Sequence, residues 1–168
     1  MSGKTFLRKI DKATAKPEFQ EWLSQMDVEL EAFFHEDVPD GFPHSDPYNI
    51  EALTVVAEHL LEQFPTWKSY WENPDIAQYR DRLLRYYGTA WIELFEGTWR
   101  NVPAVDEHTD GWEMGPAVHF PFFPLFTFPH DDIKIVLFER DPTVFSDIYK
   151  YKVEDYEKWV AAGRPKND

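Results

Sequence analysis

Three of the six histidines lie outside the predicted long helices with a carboxylate one or two positions away, and this is the combination of residues in the chain that most readily supports chemistry. They are His44 in "HSD", His108 in "DEHTD" and His130 in "HDD". Two histidines and a carboxylate from separate segments could hold a divalent ion. Their spacing, however, matches no ligand motif such as two histidines on one helical turn. We therefore predict no metal site, and we interpret His44 and His108 as solvated loop residues and His130 as a residue near a helix cap.

Other catalytic signatures are missing from the sequence. The seven glycines are dispersed, so they form no phosphate-binding loop, and no serine lies in a nucleophile-elbow pattern. Cysteine is absent, which excludes thiolate nucleophiles and cysteine metal sites. We therefore predict no catalytic residues and no cofactor. A small hydrolase or metal-dependent enzyme that uses the His- and Asp-rich loops remains an alternative.

The acidic residues are distributed unevenly along the chain. Residues 26–49, "MDVELEAFFHEDVPDGFPHSDPYN", contain seven carboxylates and neither Lys nor Arg. This base-free window extends over residues 17–67 with twelve acids, and a second one, residues 101–133, has six. The net charge of −14 has its negative excess in these two windows. If the windows adjoin in the fold, they form one concentrated acidic face.

We predict that the loop of residues 36–46 and the turn of residues 106–113 lie on one face and bind a partner. In the loop of residues 36–46, prolines should stiffen the backbone and hold the carboxylates out with less ordering entropy to lose on binding. In the second window, a tryptophan among acids would be an apolar interface anchor. The predicted partner-binding residues are Glu36, Asp37, Asp40, Asp46, Asp106, Glu107, Asp110 and Trp112.

The same charge distribution limits the kinds of partner. Nucleic acid is excluded because phosphate binding needs clustered Lys and Arg, and an anionic membrane would repel an acidic face. The amino terminus lacks the apolar stretch of a signal peptide, and no segment reaches the ~20 apolar residues of a membrane span. Together with the absence of cysteine, these features indicate a reducing cytoplasm.

Helical periodicity dominates the first two-thirds of the chain. Pro17 begins an amphipathic helix of residues 17–37, which the Pro-rich loop ends. Further helices are predicted from Pro47 or Asn49 to Phe64 with Ser45 or Asp46 as cap, over a short turn capped by Thr66, and over residues 74–97. In the last of these, Gly88 is expected to let another backbone approach closely.

After Gly97 the pattern changes to β-branched and aromatic residues broken by proline, as in "TWRNVPAV", "PAVHFPFF" and "LFTFP", which favours a hairpin or small antiparallel sheet. "HDDIKIVLFERDP" fits a buried strand or two helical turns, and we predict helix capped by Asp131. A last helix contains Val153–Val160 and ends at Gly163. We expect an α+β fold in one domain of residues 1–168, in which residues 1–16 are a candidate flexible basic arm.

The stretch "YYGTAWIELFEGTWRNVPAV", residues 86–105, resembles a pattern of small bacterial proteins, several families of which are encoded beside toxins and act as immunity proteins. The resemblance rests on Tyr87, Gly88, Gly97, Trp99 and Pro103. It implies a compact α+β domain that neutralises a partner by binding it, without catalytic residues.

These observations favour a non-enzymatic acidic domain that binds a basic protein, most specifically an immunity protein or inhibitor of a basic toxin. A complementary acidic surface would speed association with such a partner. Besides the enzyme alternative, a structural or regulatory module with an aromatic groove is open, and the acidic surface could also serve only solubility.

Overall fold

The computed structural model describes residues 3–103 and 115–166, and the elements below lie within these ranges. Eight α-helices run in chain order: α1 (Gly3–Thr14), α2 (Pro17–Ser24), α3 (Met26–Ala32), α4 (Ile50–Gln63), α5 (Trp67–Trp71), α6 (Ala77–Phe95), α7 (Pro129–Glu139) and α8 (Val144–Ala161). The strands are β1 (Thr98–Val102), β2 (Gly115–His119) and β3 (Phe126–Thr127). The predicted α+β fold, helix-rich in the N-terminal two-thirds with a small antiparallel sheet in the C-terminal half, is confirmed.

The segment predicted as one helix of residues 17–37 is divided in two. Pro17 lies in the first turn of α2 as predicted, but a tight turn at Gln25, whose backbone N–H donates to the Leu23 carbonyl, ends α2. Helix α3 then begins at Met26 and runs into a π-helical turn, Phe33–Asp37. Residues of the predicted apolar stripe remain buried on both sides of the break, namely Phe19, Leu30 and Phe33.

Side-chain caps determine where the next two helices begin. The predicted caps of α4, Ser45 and Asp46, are wrong, because the Asn49 side chain accepts the hydrogen bond from the Ala52 N–H at 2.8 Å. The predicted cap of α5 is confirmed. The Thr66 hydroxyl accepts from the Ser69 N–H, and the Ser69 hydroxyl accepts from the Thr66 N–H, which is a reciprocal capping box.

Helix α6 passes through the centre of the core and contacts α3, α7 and the sheet. A 3-10 turn, Pro74–Ile76, precedes it, and Glu96 ends it in the left-handed conformation with φ 56°. Its buried side chains include Leu83, Tyr86, Tyr87, Trp91 and Phe95. The Tyr87 ring stacks on Phe145 of α8 with the ring centroids 3.6 Å apart, so α6 also fixes the C-terminal helix.

We had expected Gly88 of α6 to let another backbone approach closely. The group that lies against it is instead the indole of Trp99. A Cβ atom at residue 88 would lie 1.9 Å from Cη2 and 2.3 Å from Cζ2 of Trp99. Glycine therefore lets the first strand after α6 fold back until its tryptophan rests directly on the helix.

Gly88→Ala is expected to lower the free energy of unfolding by about 1–3 kcal/mol, because the added methyl group overpacks this contact. Chemical denaturation measures the change. In a Trp99→Leu background the same substitution should become neutral or stabilising, because only the higher helix propensity of alanine then remains. An equal loss in both backgrounds would show that Trp99 is not the reason for the glycine.

The sheet has the order β1-β2-β3 and is antiparallel throughout. In the β1–β2 register Trp99 is opposite Val118 and Asn101 is opposite Pro116. Pro116 is tolerated in β2 because it lies beyond the two residues that pair with β3.

Helix α1 packs against β1, so residues 3–14 of the candidate flexible arm form helix instead. Its apolar side carries Ile10, which is fully buried, and Phe6, and these pack with Val102 and Ala117. The Thr14 hydroxyl accepts a hydrogen bond from the Asn101 N–H, and the Ala13 carbonyl accepts one from the Asn101 side chain. These apolar contacts and hydrogen bonds explain why the segment is helical despite its clustered positive charge.

Helices α7 and α8 complete the core. The helix predicted in "HDDIKIVLFERDP" is confirmed, but Asp131 is not its cap, because α7 already begins at Pro129 after Phe128. Asp132 of α7 is buried, and its Oδ2 accepts a hydrogen bond from Nε1 of Trp91 at 3.2 Å.

Among the described residues, no helix has both the length and the apolar character needed to cross a bilayer.

Candidate functional site

A surface pocket of about 560 Å³ lies between α3 and the loop that leads into α4. Leu30, Phe34 and Tyr48 supply its apolar surface, while Asp27 and Glu31 supply carboxylates. His35 and His44 complete the lining. We call this feature the acidic pocket; within the described residues it combines both signals that the sequence offered in this window, namely carboxylates and aromatic rings.

The aromatic side of the acidic pocket is held from behind by other rings. Phe34 contacts Tyr48 edge-on with centroids 5.9 Å apart and stacks with Phe42 at 5.8 Å. Tyr48 also stacks with Tyr86 of α6, and the Tyr86 hydroxyl donates to the Pro47 carbonyl at 2.9 Å. These contacts anchor the end of the loop to the core, so the position of Tyr48 is determined before any ligand arrives.

Electrostatics at Tyr48 report a negative local environment. Burial raises the pKa of the Tyr48 hydroxyl to about 12, and the carboxylates of Glu93 and Asp27 add to the increase. The phenol is therefore protonated at neutral pH and can donate a hydrogen bond. A cation near this ring would meet carboxylates and an aromatic face together.

The buried Arg82 of α6 binds three carboxylates of α3 and the π-helical turn. Its Nε donates to Glu29 Oε2 at 2.9 Å, and its Nη1 donates to Glu36 Oε2 at 2.8 Å and to Asp37 Oδ2 at 3.3 Å. We call these four residues the Arg82 cluster. It joins α3 and the π-helical turn to α6, and it leaves two negative charges in excess of the guanidinium.

Two of the predicted partner-binding residues, Glu36 and Asp37, form ion pairs inside the protein. Glu36 and Asp37 were expected to point toward a partner, but both are bound to Arg82, and Asp37 is half-buried. Burial raises the pKa of the Asp37 carboxyl although Arg82 acts in the opposite direction. More than half of the Glu36 side chain is still exposed, and the role of both carboxylates in partner binding stays a prediction.

The other two predicted residues of this loop, Asp40 and Asp46, are exposed. No Lys or Arg in residues 3–103 and 115–166 lies within ion-pair distance of Asp40, Asp46, Asp27 or Glu31. These four exposed acids therefore have no Lys or Arg counter-charge within the described part of the chain.

Predicted residues of the second acidic window lie outside the described residues: Asp106, Glu107, Asp110 and Trp112, together with His108. The prediction that the loop of residues 36–46 and the turn of residues 106–113 share one face consequently stays a prediction.

The remaining histidines of interest are placed by aromatic packing. His44 contacts Phe42 at the rim of the acidic pocket, with ring centroids 5.1 Å apart. His130 packs edge-on against Trp67 and Trp71, and burial lowers its pKa. In the described ranges, no three His, Cys, Asp or Glu side chains are grouped as they would be around a metal ion.

Sequence reasoning assigned no role to Phe34, Tyr48 or Arg82. A signal for Arg82 existed, because "RDRLLR" of α6 is the first dense group of arginines after the base-free window of residues 17–67. An acid-rich helix that packs on the core needs such a counter-charge. No local signal marked Tyr48, which enters the acidic pocket only through tertiary packing.

No protein-family model, curated protein or solved structure significantly matches this chain. Its function is therefore argued from its own geometry and charge.

Proposed function

We propose that this protein is a non-enzymatic binding domain whose acidic surface engages a basic protein. In its most specific form, it is an immunity protein or inhibitor that neutralises a basic toxin or effector in the cytoplasm. The observation that carries the proposal is the set of exposed carboxylates around an aromatic pocket, none of them paired with Lys or Arg in the described residues. Such a surface attracts a basic protein before contact and keeps its charges available for pairing.

Preorganisation also supports a binding role. The Arg82 cluster fixes the start of the loop, and the Tyr86 hydroxyl fixes its end at Pro47. A surface that is already held in place loses less conformational entropy when a partner binds. The resemblance to immunity-type proteins points to the same class, although Tyr87, Gly88, Gly97 and Trp99 are explained by packing in the core.

We expect Asp40→Lys together with Asp46→Lys to slow association with the true partner by about tenfold or more at low salt, while dissociation changes little. These two residues are chosen because they are exposed and lie outside the Arg82 cluster. A pull-down from the native host, followed by binding kinetics at two salt concentrations, makes the measurement. Added salt should slow association of the unmodified protein in the same direction.

The matched control is Glu58→Lys with Glu157→Lys, which makes the same change of net charge at exposed sites on α4 and α8. If both double variants slow association equally, net charge alone is responsible and the local surface is not the binding site. A partner whose association rate depends neither on salt nor on the first double variant would refute electrostatic recognition.

Trp112→Ala should instead mainly speed dissociation, because an apolar anchor acts after the encounter.

A further inference from the structure

We infer that the acidic pocket is a receptor for a single arginine side chain of the partner, an inference that rests on the proposed function for the identity of the partner. The pocket is an open surface depression with a volume of about 560 Å³. It is therefore large enough for one long side chain inserted from another protein.

The lining matches the two parts of an arginine side chain. Leu30 provides an apolar surface for the methylene stem, and the rings of Phe34 and Tyr48 provide faces on which a planar cation stacks. Asp27 and Glu31 can accept hydrogen bonds from the guanidinium. Both carboxylates are exposed, and neither has a Lys or Arg within ion-pair distance among the described residues.

Arginine fits this lining better than lysine does. Its guanidinium is weakly hydrated and planar, stacks on aromatic rings, and presents several N–H donors in a fixed fork. The ammonium of lysine is compact and strongly hydrated, so it would lose more hydration at an aromatic face. The sequence outside the described ranges contains neither Lys nor Arg, so no Lys or Arg side chain of those residues competes for the pocket.

The direct test uses the isolated side chain rather than the unknown partner. N-acetyl-arginine methylamide is titrated into the protein to about 50 mM, in a range suited to weak ligands, while amide and aromatic resonances are followed by NMR. N-acetyl-citrulline methylamide is the neutral control of nearly the same shape. We expect saturable shifts at Phe34 and Tyr48 with arginine, smaller shifts with the lysine analogue, and none with citrulline.

Asp27→Asn with Glu31→Gln is expected to weaken arginine binding by about tenfold. Glu58→Gln with Glu157→Gln, which removes two exposed charges elsewhere, should leave it unchanged. Neither pair of sites belongs to the Arg82 cluster, and the NMR spectrum itself verifies that each variant is folded.

Equal shifts with citrulline, absence of shifts at Phe34 and Tyr48, or an equal loss in both double variants would each overturn the inference. If arginine binds saturably in a manner that depends on Asp27 and Glu31, the inference is supported even without a basic protein partner. Failure to find such a partner would then refute the proposed function and leave the arginine receptor standing. A partner whose binding depends on Asp40 and Asp46 but not on Asp27 and Glu31 would support the proposed function and overturn the arginine receptor.

Discussion

Arg82→Met is expected to lower the free energy of unfolding at pH 7 by about 1–3 kcal/mol, because it leaves the partly buried carboxylates of Glu29 and Asp37 without their hydrogen-bond partner. Arg82 is 8% exposed and is the common partner of Glu29, Glu36 and Asp37. Methionine retains much of the apolar stem, so the loss reports the guanidinium rather than the packing volume. The three carboxylates would then repel one another between α3 and the π-helical turn.

Urea denaturation at pH 7 and pH 4 measures this effect and its sign. The loss should be smaller at pH 4, because burial raises the pKa of Asp37 and protonation of this carboxyl relieves part of the repulsion. Lys158→Met is the control, since Lys158 forms a fully exposed pair with Glu154 and its loss should cost much less. If Arg82→Met and Lys158→Met cost the same, the Arg82 cluster does not hold α3 to the core.

Asp132→Asn is expected to stabilise the protein at pH 8, by as much as about 4 kcal/mol if the whole pKa difference is expressed. Burial raises the pKa of Asp132 from 3.8 to about 7; the hydrogen bond from Trp91 and the charge of Lys152 lower it, and Asp131 raises it further. A carboxyl with a raised folded pKa is most favourable when it is protonated. Its contribution is therefore complete below pH 3.8, falls as the pH rises to about 7, and is constant above that value.

The measurement compares the free energies of unfolding of the wild type and Asp132→Asn between pH 4 and pH 8. The amide keeps an oxygen that can accept from Trp91, so the two curves should converge at pH 4 and separate as the pH rises. Glu58→Gln, which removes an exposed carboxylate on α4, is the control and should not reproduce this separation. Parallel curves for wild type and Asp132→Asn would show that Asp132 ionises in the folded protein as easily as in the unfolded chain.

The elements that sequence reasoning predicted well are those whose signals are local. Thr66 caps α5 because its partner, Ser69, is three residues away. The apolar stripe of α4 and the β-branched residues of β1 and β2 also express their preferences within a few positions. The ambiguous segment of α7 was assigned correctly as helix, yet its start depends on Pro129 rather than on the carboxylate that follows.

Features of the candidate site were predicted less well because they depend on distant contacts. Asp40 and Asp46 are exposed, as a Pro-rich polar loop should make them. Glu36 and Asp37 looked equivalent to them, but Arg82 lies 46 and 45 positions away and binds both. Gln25 interrupts the predicted helix of residues 17–37, and neither its residue type nor its neighbours predicted that break.

The packing of α1 on β1 has a consequence for self-association. Strand β1 is at the edge of the sheet, and an uncovered edge offers N–H and C=O groups that can pair with a strand of another molecule. The Thr14 hydroxyl occupies one such group, the Asn101 N–H, and the Ala13 carbonyl accepts from the Asn101 side chain. The opposite edge, β3, is only two residues long. Helix α1 therefore covers the edge of β1 and hinders intermolecular β-sheet growth. Loss of this helix would expose an aggregation-prone edge.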